Sequence, residues 1–96
     1  MTMEELKEEV RKSGKEYVTL LIPAKDVYRA GSMWVSGREG SKDRKEVLVK
    51  SSIGPLLERA RLELYKYCAR KGEKVKGEIQ AVETYEGSIV LLVEVE

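Results

Sequence analysis

One grouping in this chain has residue types suited to chemistry. Arg29, Arg38, Lys42, Arg44 and Lys45 cluster around Trp34 and Tyr28. Cations pair with phosphate, and an aromatic ring offers a face on which a base stacks. The same aromatics serve equally well as core residues, with the charged segment a solvated loop, and the sequence leaves both readings open. Other chemistry finds little support. There is no histidine and a single cysteine, Cys68, so the commonest general base is missing and no thiolate cluster can form around a metal. Gly37-Arg38-Glu39-Gly40-Ser41-Lys42 contains a Gly-Ser-Lys but lacks the spacing of a phosphate loop and does not open a helix. The Ser51–Gly54 turn lies where a helix N-terminus offers backbone N–H groups to a phosphate, though a solvated turn is the simpler reading. The carboxylates sit among bases, without an isolated pair. No catalytic residue, metal, cofactor or small-molecule substrate is therefore expected.

Charge distribution supports the first reading better than net charge does. The formal charge of the 96 residues is only +1. Residues 1–22 hold five acids and four bases, whereas residues 23–50 hold seven bases and four acids. Positive potential is thus concentrated mid-chain. Asn is absent, Gln occurs once (Gln80), and charged residues make up 36%, a profile of hyperthermophile proteins. A lone cysteine points to a reducing, cytoplasmic setting, and on an apolar stripe it reads as a small buried hydrophobe. No apolar run is long enough to span a bilayer, so no membrane partner is expected.

These residues need elements to position them. Thr2 and Glu5 form a capping box, and Met3, Leu6 and Val10 make a thin stripe over residues 1–14, predicting a short helix. Tyr17–Ile22 is nearly all apolar, as in a central strand covered on both faces. Beyond Pro23 the pattern divides. Val27, Tyr28, Gly31, Trp34 and Val35 have the spacing of one helix face, with Asp26 as a candidate N-cap. A competing arrangement makes Ser32–Ser36 a strand against Glu46–Lys50. The helix is preferred because it gives two consecutive right-handed βα units, with residues 37–45 as a basic connection.

Lys45–Lys50 reads as a short strand. Gly54 and Pro55 then suit the N-cap and first position of a helix that Gly72 ends. Along that helix Ile53, Leu56, Leu57, Ala60, Leu64, Tyr67 and Cys68 form a core-facing stripe. Leu62, Tyr65 and Ala69 form a second apolar patch, a candidate oligomer seam. Residues 75–84 alternate as a half-exposed strand, Glu86-Gly87 turns the chain, and Ile89–Val95 is apolar enough to lie inside the sheet.

Strand, lysine-bearing turn, helix, glycine-containing loop, strand, helix, strand, strand resembles the Alba family of archaeal nucleic-acid-binding proteins over Tyr17 to Val95. The likeness is strongest where Glu-Val-Leu-Val-Lys is followed by Ser-Ser-Ile-Gly-Pro-Leu-Leu-Glu-Arg-Ala. The same order resembles the C-terminal domain of bacterial translation initiation factor three. The Alba resemblance implies an archaeal homodimer that holds nucleic acid, and it places Lys25, in Ala24-Lys25-Asp26, at the family's basic first turn. Two of that family's contacts differ here. Ser51 and Ser52 replace an arginine-bearing turn, and the last hairpin, residues 83–87, is acidic, the wrong sign for entering a groove. These departures from the family pattern count against the coating of duplex DNA, and with the basic middle segment they make structured RNA the expected ligand.

The expected fold is α/β, an α+β two-layer sandwich of βαβαββ order, with residues 1–14 as a helical extension and residues 15–96 as one domain. The expected nucleic-acid contacts are Lys25, Arg29, Arg38, Lys42, Arg44 and Lys45. The alternative function is a small assembly module acting through Leu62, Tyr65 and Ala69.

Overall fold

A computed structural model describes residues 1–26, 31–38, 40–49 and 56–96. These residues form an α+β domain with two α-helices and a five-stranded antiparallel sheet. Helix α1 is Met3–Ser13 and strand β1 is Glu16–Ile22, followed by a 3-10 turn at Ala24–Asp26. Strands β2 (Gly31–Ser36) and β3 (Arg44–Val49) precede helix α2 (Leu56–Arg70), and β4 (Val75–Glu83) and β5 (Ile89–Val95) complete the chain. The strand order is β3-β2-β1-β5-β4.

Residues 31–36 are therefore strand, not helix, and this corrects the expected βαβαββ order to αβββαββ. Trp34 pairs with Glu46 and Ser32 with Leu48 in an antiparallel ribbon. The physical reason lies in Met33. A helical stripe through Trp34 and Val35 leaves Met33 outside it, whereas a two-residue period sends Met33 and Val35 together into the core, at 1% and 0% exposure. Gly31 also costs a helix about 1 kcal/mol relative to alanine. Val27, Tyr28 and Arg29, and the Ser51–Pro55 turn with its proposed Gly54–Pro55 cap, lie outside the described residues.

The alternation of β1 and β5 places a helix on each face. Val18, Leu20 and Ile22 of β1, with Leu91, Val93 and Val95 of β5, point toward α2 and join Ala60, Leu64, Tyr67 and Cys68 in the main core. On the other face Val90 and Leu92 meet Leu6 of α1, with Met3, Val10, Tyr17, Leu21 and Val82 packed around them. The N-terminal helix is thus a third layer, covering one part of its face of the sheet, rather than an appendage. Burying Leu6 contributes about 2 kcal/mol to that docking. The capping box is formed, with Glu5 N–H donating to Thr2 Oγ1 at 3.1 Å. The Tyr85 N–H donates to the Met1 carbonyl at 3.0 Å, tying the helix start to the β4–β5 turn.

Helix α2 follows its expected stripe except at Leu57, which is 39% exposed. Glu63, buried to 7% exposure, accepts from Arg59 Nε at 3.2 Å and has Lys66 Nζ at 3.8 Å. On the outer strand β4 the register shifts between Lys76 and Gln80, where Gly77 adopts φ 79°. That bulge turns the edge away from flat pairing with another chain.

Candidate nucleic-acid interface

Helix α1 lies over β5 and β1, and no helix among the described residues covers the same face of β2 and β3. The register identifies what is displayed there: Thr19 and Leu21 from β1, opposite Ser36 and Trp34 from β2, and then Arg44, Glu46 and Leu48 from β3. Leu48 is 62% exposed. Between α1 and β2 the surface dips into a groove of about 440 Å³, with Tyr17, Leu21 and Trp34 among its apolar walls. Lys7, Arg11, Lys15, Arg38 and Arg44 stand around it, with Glu16 the single carboxylate lining it among the described residues.

Each cation is held differently. Arg44 lies over the Trp34 ring with its Cζ 4.6 Å from the ring centroid, a cation–π contact worth about 0.5–1 kcal/mol at an exposed site. Arg11 pairs with Glu8 at 2.7 Å, and Lys15 Nζ lies 3.9 Å from Glu94, which also faces Lys76 at 3.4 Å. Lys7 has no carboxylate partner among the described residues. Beyond Trp34 on this face, Ser32 Oγ donates to Glu46 at 2.6 Å.

Arg38 is the most constrained. Its Nε donates to both Glu73 oxygens at 3.1 and 3.0 Å, and its Nη2 donates to Oε1 at 2.8 Å and to the Glu96 carbonyl. The arginine thus fastens the loop after β2 to the segment entering β4 and to the chain end. These hydrogen bonds hold the Glu73 carboxyl below its usual range, against the opposing effect of burial. A carboxyl whose folded pKa is depressed adds stability that is fully present above its unfolded pKa, near 4.5, and lost as pH falls through the lower folded value. Urea melts at pH 6 and pH 3 are expected to show a smaller pH-dependent loss in Glu73→Gln than in the parent chain; equal losses would show that the fork has no energetic consequence.

The other expected contacts separate. Lys42 is exposed in the loop between β2 and β3, beside Asp43, whose carboxylate pairs with Lys71 at 3.3 Å. Lys45 belongs to the α2 face of β3. With Arg44, Arg70 and Lys71 it borders a second cleft of about 160 Å³ over the Tyr67 ring. Lys25 lies at the far end of β1, where its neighbour Ala24 approaches Gly87 of the β4–β5 turn, and it is not part of the groove. Arg29 lies outside the described residues. The structure therefore brings together Arg38 and Arg44 at the groove, and Arg44 and Lys45 at the second cleft.

Lys7, Arg11 and Lys15 were not among the residues expected from sequence. A signal existed: Lys7 and Arg11 are four residues apart, each next to a stripe residue, Leu6 or Val10, so they border whatever surface that stripe covers.

Cys68 is 1% exposed, and burial pushes its thiol pKa up, away from the nucleophilic thiolate. Burial and the nearby Asp43 likewise raise the Tyr67 hydroxyl. This buried hydroxyl has no hydrogen-bond partner among the described residues, and a Cβ on Gly37 would come within 3.1 Å of it. Among the described residues no cluster of acids and Cys68 is arranged to hold a metal ion, and no helix is long and apolar enough to cross a membrane. Comparison with protein-family models, curated proteins and solved structures returns no match.

Proposed function

We propose that this chain is a non-catalytic nucleic-acid-binding protein that contacts its ligand at the α1–β2 groove, with RNA favoured over DNA. The observation carrying this reading is that, among the described residues, five cations and one carboxylate border a recess that contains Trp34, in a chain whose formal net charge is only +1. Folding has gathered positive charge from α1, from the turn into β1, and from both ends of the β2–β3 loop. The reading rests on this groove rather than on the Alba resemblance, whose strand and helix order differs from the one seen here. Phosphate binding through such cations releases counterions, so affinity falls as a power of salt concentration. Fluorescence anisotropy against labelled RNA and duplex DNA between 50 and 300 mM salt tests it. Measurable affinity with a negative salt slope is expected; no binding at low salt ends the reading.

A second reading, assembly, is favoured by α2. Leu62 and Tyr65 are 50% and 43% exposed on its outward side, and Ala69 is exposed one turn further on. This surface would serve a homodimer and is compatible with an open groove on the opposite face. Leu62→Glu with Tyr65→Glu is expected to convert a dimer to a monomer by light scattering without unfolding it. An unchanged solution mass removes this surface as the seam. A reducing, cytoplasmic location goes with the single buried thiol.

A further inference from the structure

The geometry points to an unpaired strand as the ligand: the groove accepts single-stranded nucleic acid, with one base stacked on Trp34 and the backbone passing over the β3 edge to the Arg44–Lys45–Arg70–Lys71 cleft. This rests on the nucleic-acid reading above and narrows it.

Three observations carry it. First, Trp34 lies in a recess walled by α1 on one side, so its ring is reached by a base projecting into the groove. In a duplex the base faces are covered by their neighbours in the stack, whereas an unpaired base can be splayed out onto an aromatic side chain. A recess of about 440 Å³ falls within the roughly 300–1,000 Å³ range of small-ligand sites, which suits a nucleotide unit rather than a double helix.

Second, Arg44 occupies a ring face of Trp34 at 4.6 Å without a carboxylate partner among the described residues. It holds a stacking position with a planar cation. A base taking that place frees the guanidinium for the adjoining phosphate, so the exchange keeps the ring covered and gives the charge a stronger partner.

Third, Arg44 borders both cavities. The second cleft has four cations, of which only Lys71 has a carboxylate partner among the described residues, Asp43 at 3.3 Å. Positive charge therefore continues from the groove around the first residue of an edge strand to the opposite face. A flexible single strand can follow that bend; a stiff duplex cannot.

Trp34 is the only tryptophan, so its fluorescence reports the site directly. The test titrates the full chain with ten-nucleotide oligo(U), ten-nucleotide oligo(dT), and 20-base-pair RNA and DNA duplexes, reading Trp34 emission and ligand anisotropy together. The single strands are expected to bind at least tenfold more tightly than the duplexes and to quench Trp34; the U and dT arms separate RNA from DNA. Trp34→Leu, which keeps apolar packing but removes the stacking face, is expected to weaken single-strand binding by about 5- to 150-fold. Trp34→Phe, confirmed as folded by its melting curve, should restore much of it. Arg70→Ser with Lys71→Ser should reduce the single-strand salt slope by about 1.4; an unchanged slope overturns the path over the edge. Duplex binding as tight as single-strand binding, with Trp34 unquenched, overturns this inference but leaves the nucleic-acid reading intact. No binding by any of the four ligands overturns both.

Discussion

Replacing Arg44 and Lys45 together with serine is expected to weaken single-strand binding roughly 65-fold at 50 mM salt. Each phosphate contact on a single strand contributes a salt slope of about −0.7, equivalent to about 0.9 log unit between 1 M and 50 mM, and two contacts give about 1.8. The loss should shrink steadily as salt rises, because counterion release is the term removed. Stability should hardly move. Arg44 is exposed and Lys45 half-buried on an edge strand, and such surface changes usually stay within about 0.5 kcal/mol, with the Arg44–Trp34 contact adding a little. Arg38 is deliberately left in place, because its guanidinium is engaged by Glu73 and its loss would mix a structural effect with an electrostatic one. Anisotropy titrations over a range of salt, paired with thermal melts, decide the matter. Parallel salt slopes for parent and variant would remove these two residues from the interface.

Leu20→Ala should have the largest effect on folding. Leu20 is at the middle of β1, fully buried, opposite Val35 on one side and Leu91 on the other, both also at 0% exposure. Truncation there removes the transfer free energy of the lost carbons and opens a cavity bordered by neighbours on three strands, a combination that costs about 3–5 kcal/mol. For a domain of this length each kcal/mol lowers Tm by about 4–8 °C, so a fall of at least 12 °C is expected. Leu48→Ala is the matched control: at 62% exposure it should cost less than about 0.5 kcal/mol. Urea denaturation of both variants checks the pair. A Leu20→Ala cost below about 1 kcal/mol would be incompatible with β1 as the shared centre of the sheet.

The elements differ in how far they could be read without coordinates. The Ile89–Val95 strand was legible because its continuous apolar character has one cheap explanation, burial on both faces, and β5 does lie between β1 and β4 with a helix on each side. The α2 stripe was legible because Ala60, Leu64, Tyr67 and Cys68 repeat with the helical period. Residues 31–36 were not. Trp34 fits an apolar helix face and also a strand's open face, so local pattern alone could not choose between them. What chose was non-local: pairing with Glu46 and Leu48 across a loop, and a core position for Met33.

The candidate site divides in the same way. Residue types alone marked the loop cations Lys42, Arg44 and Lys45 and the aromatic Trp34, because charge density and ring chemistry are carried in the side chain itself. Folding decided which of them share a surface. Arg38 meets a carboxylate 35 positions away, which takes it from open cation to staple. Leu6 and Val10 announce that α1 has a packing face but not which strands it covers, so Lys7 and Arg11 became groove residues only once α1 docked beside Val90 and Leu92. Sequence by itself determined the capping box of α1, the apolar periods of α2 and β5 and the inventory of charge, since these depend on neighbours within a few residues. Only the tertiary structure decided the strand order and the half-covered sheet face, because both depend on contacts between residues far apart in the chain, where many pairings satisfy the same local pattern and packing selects one.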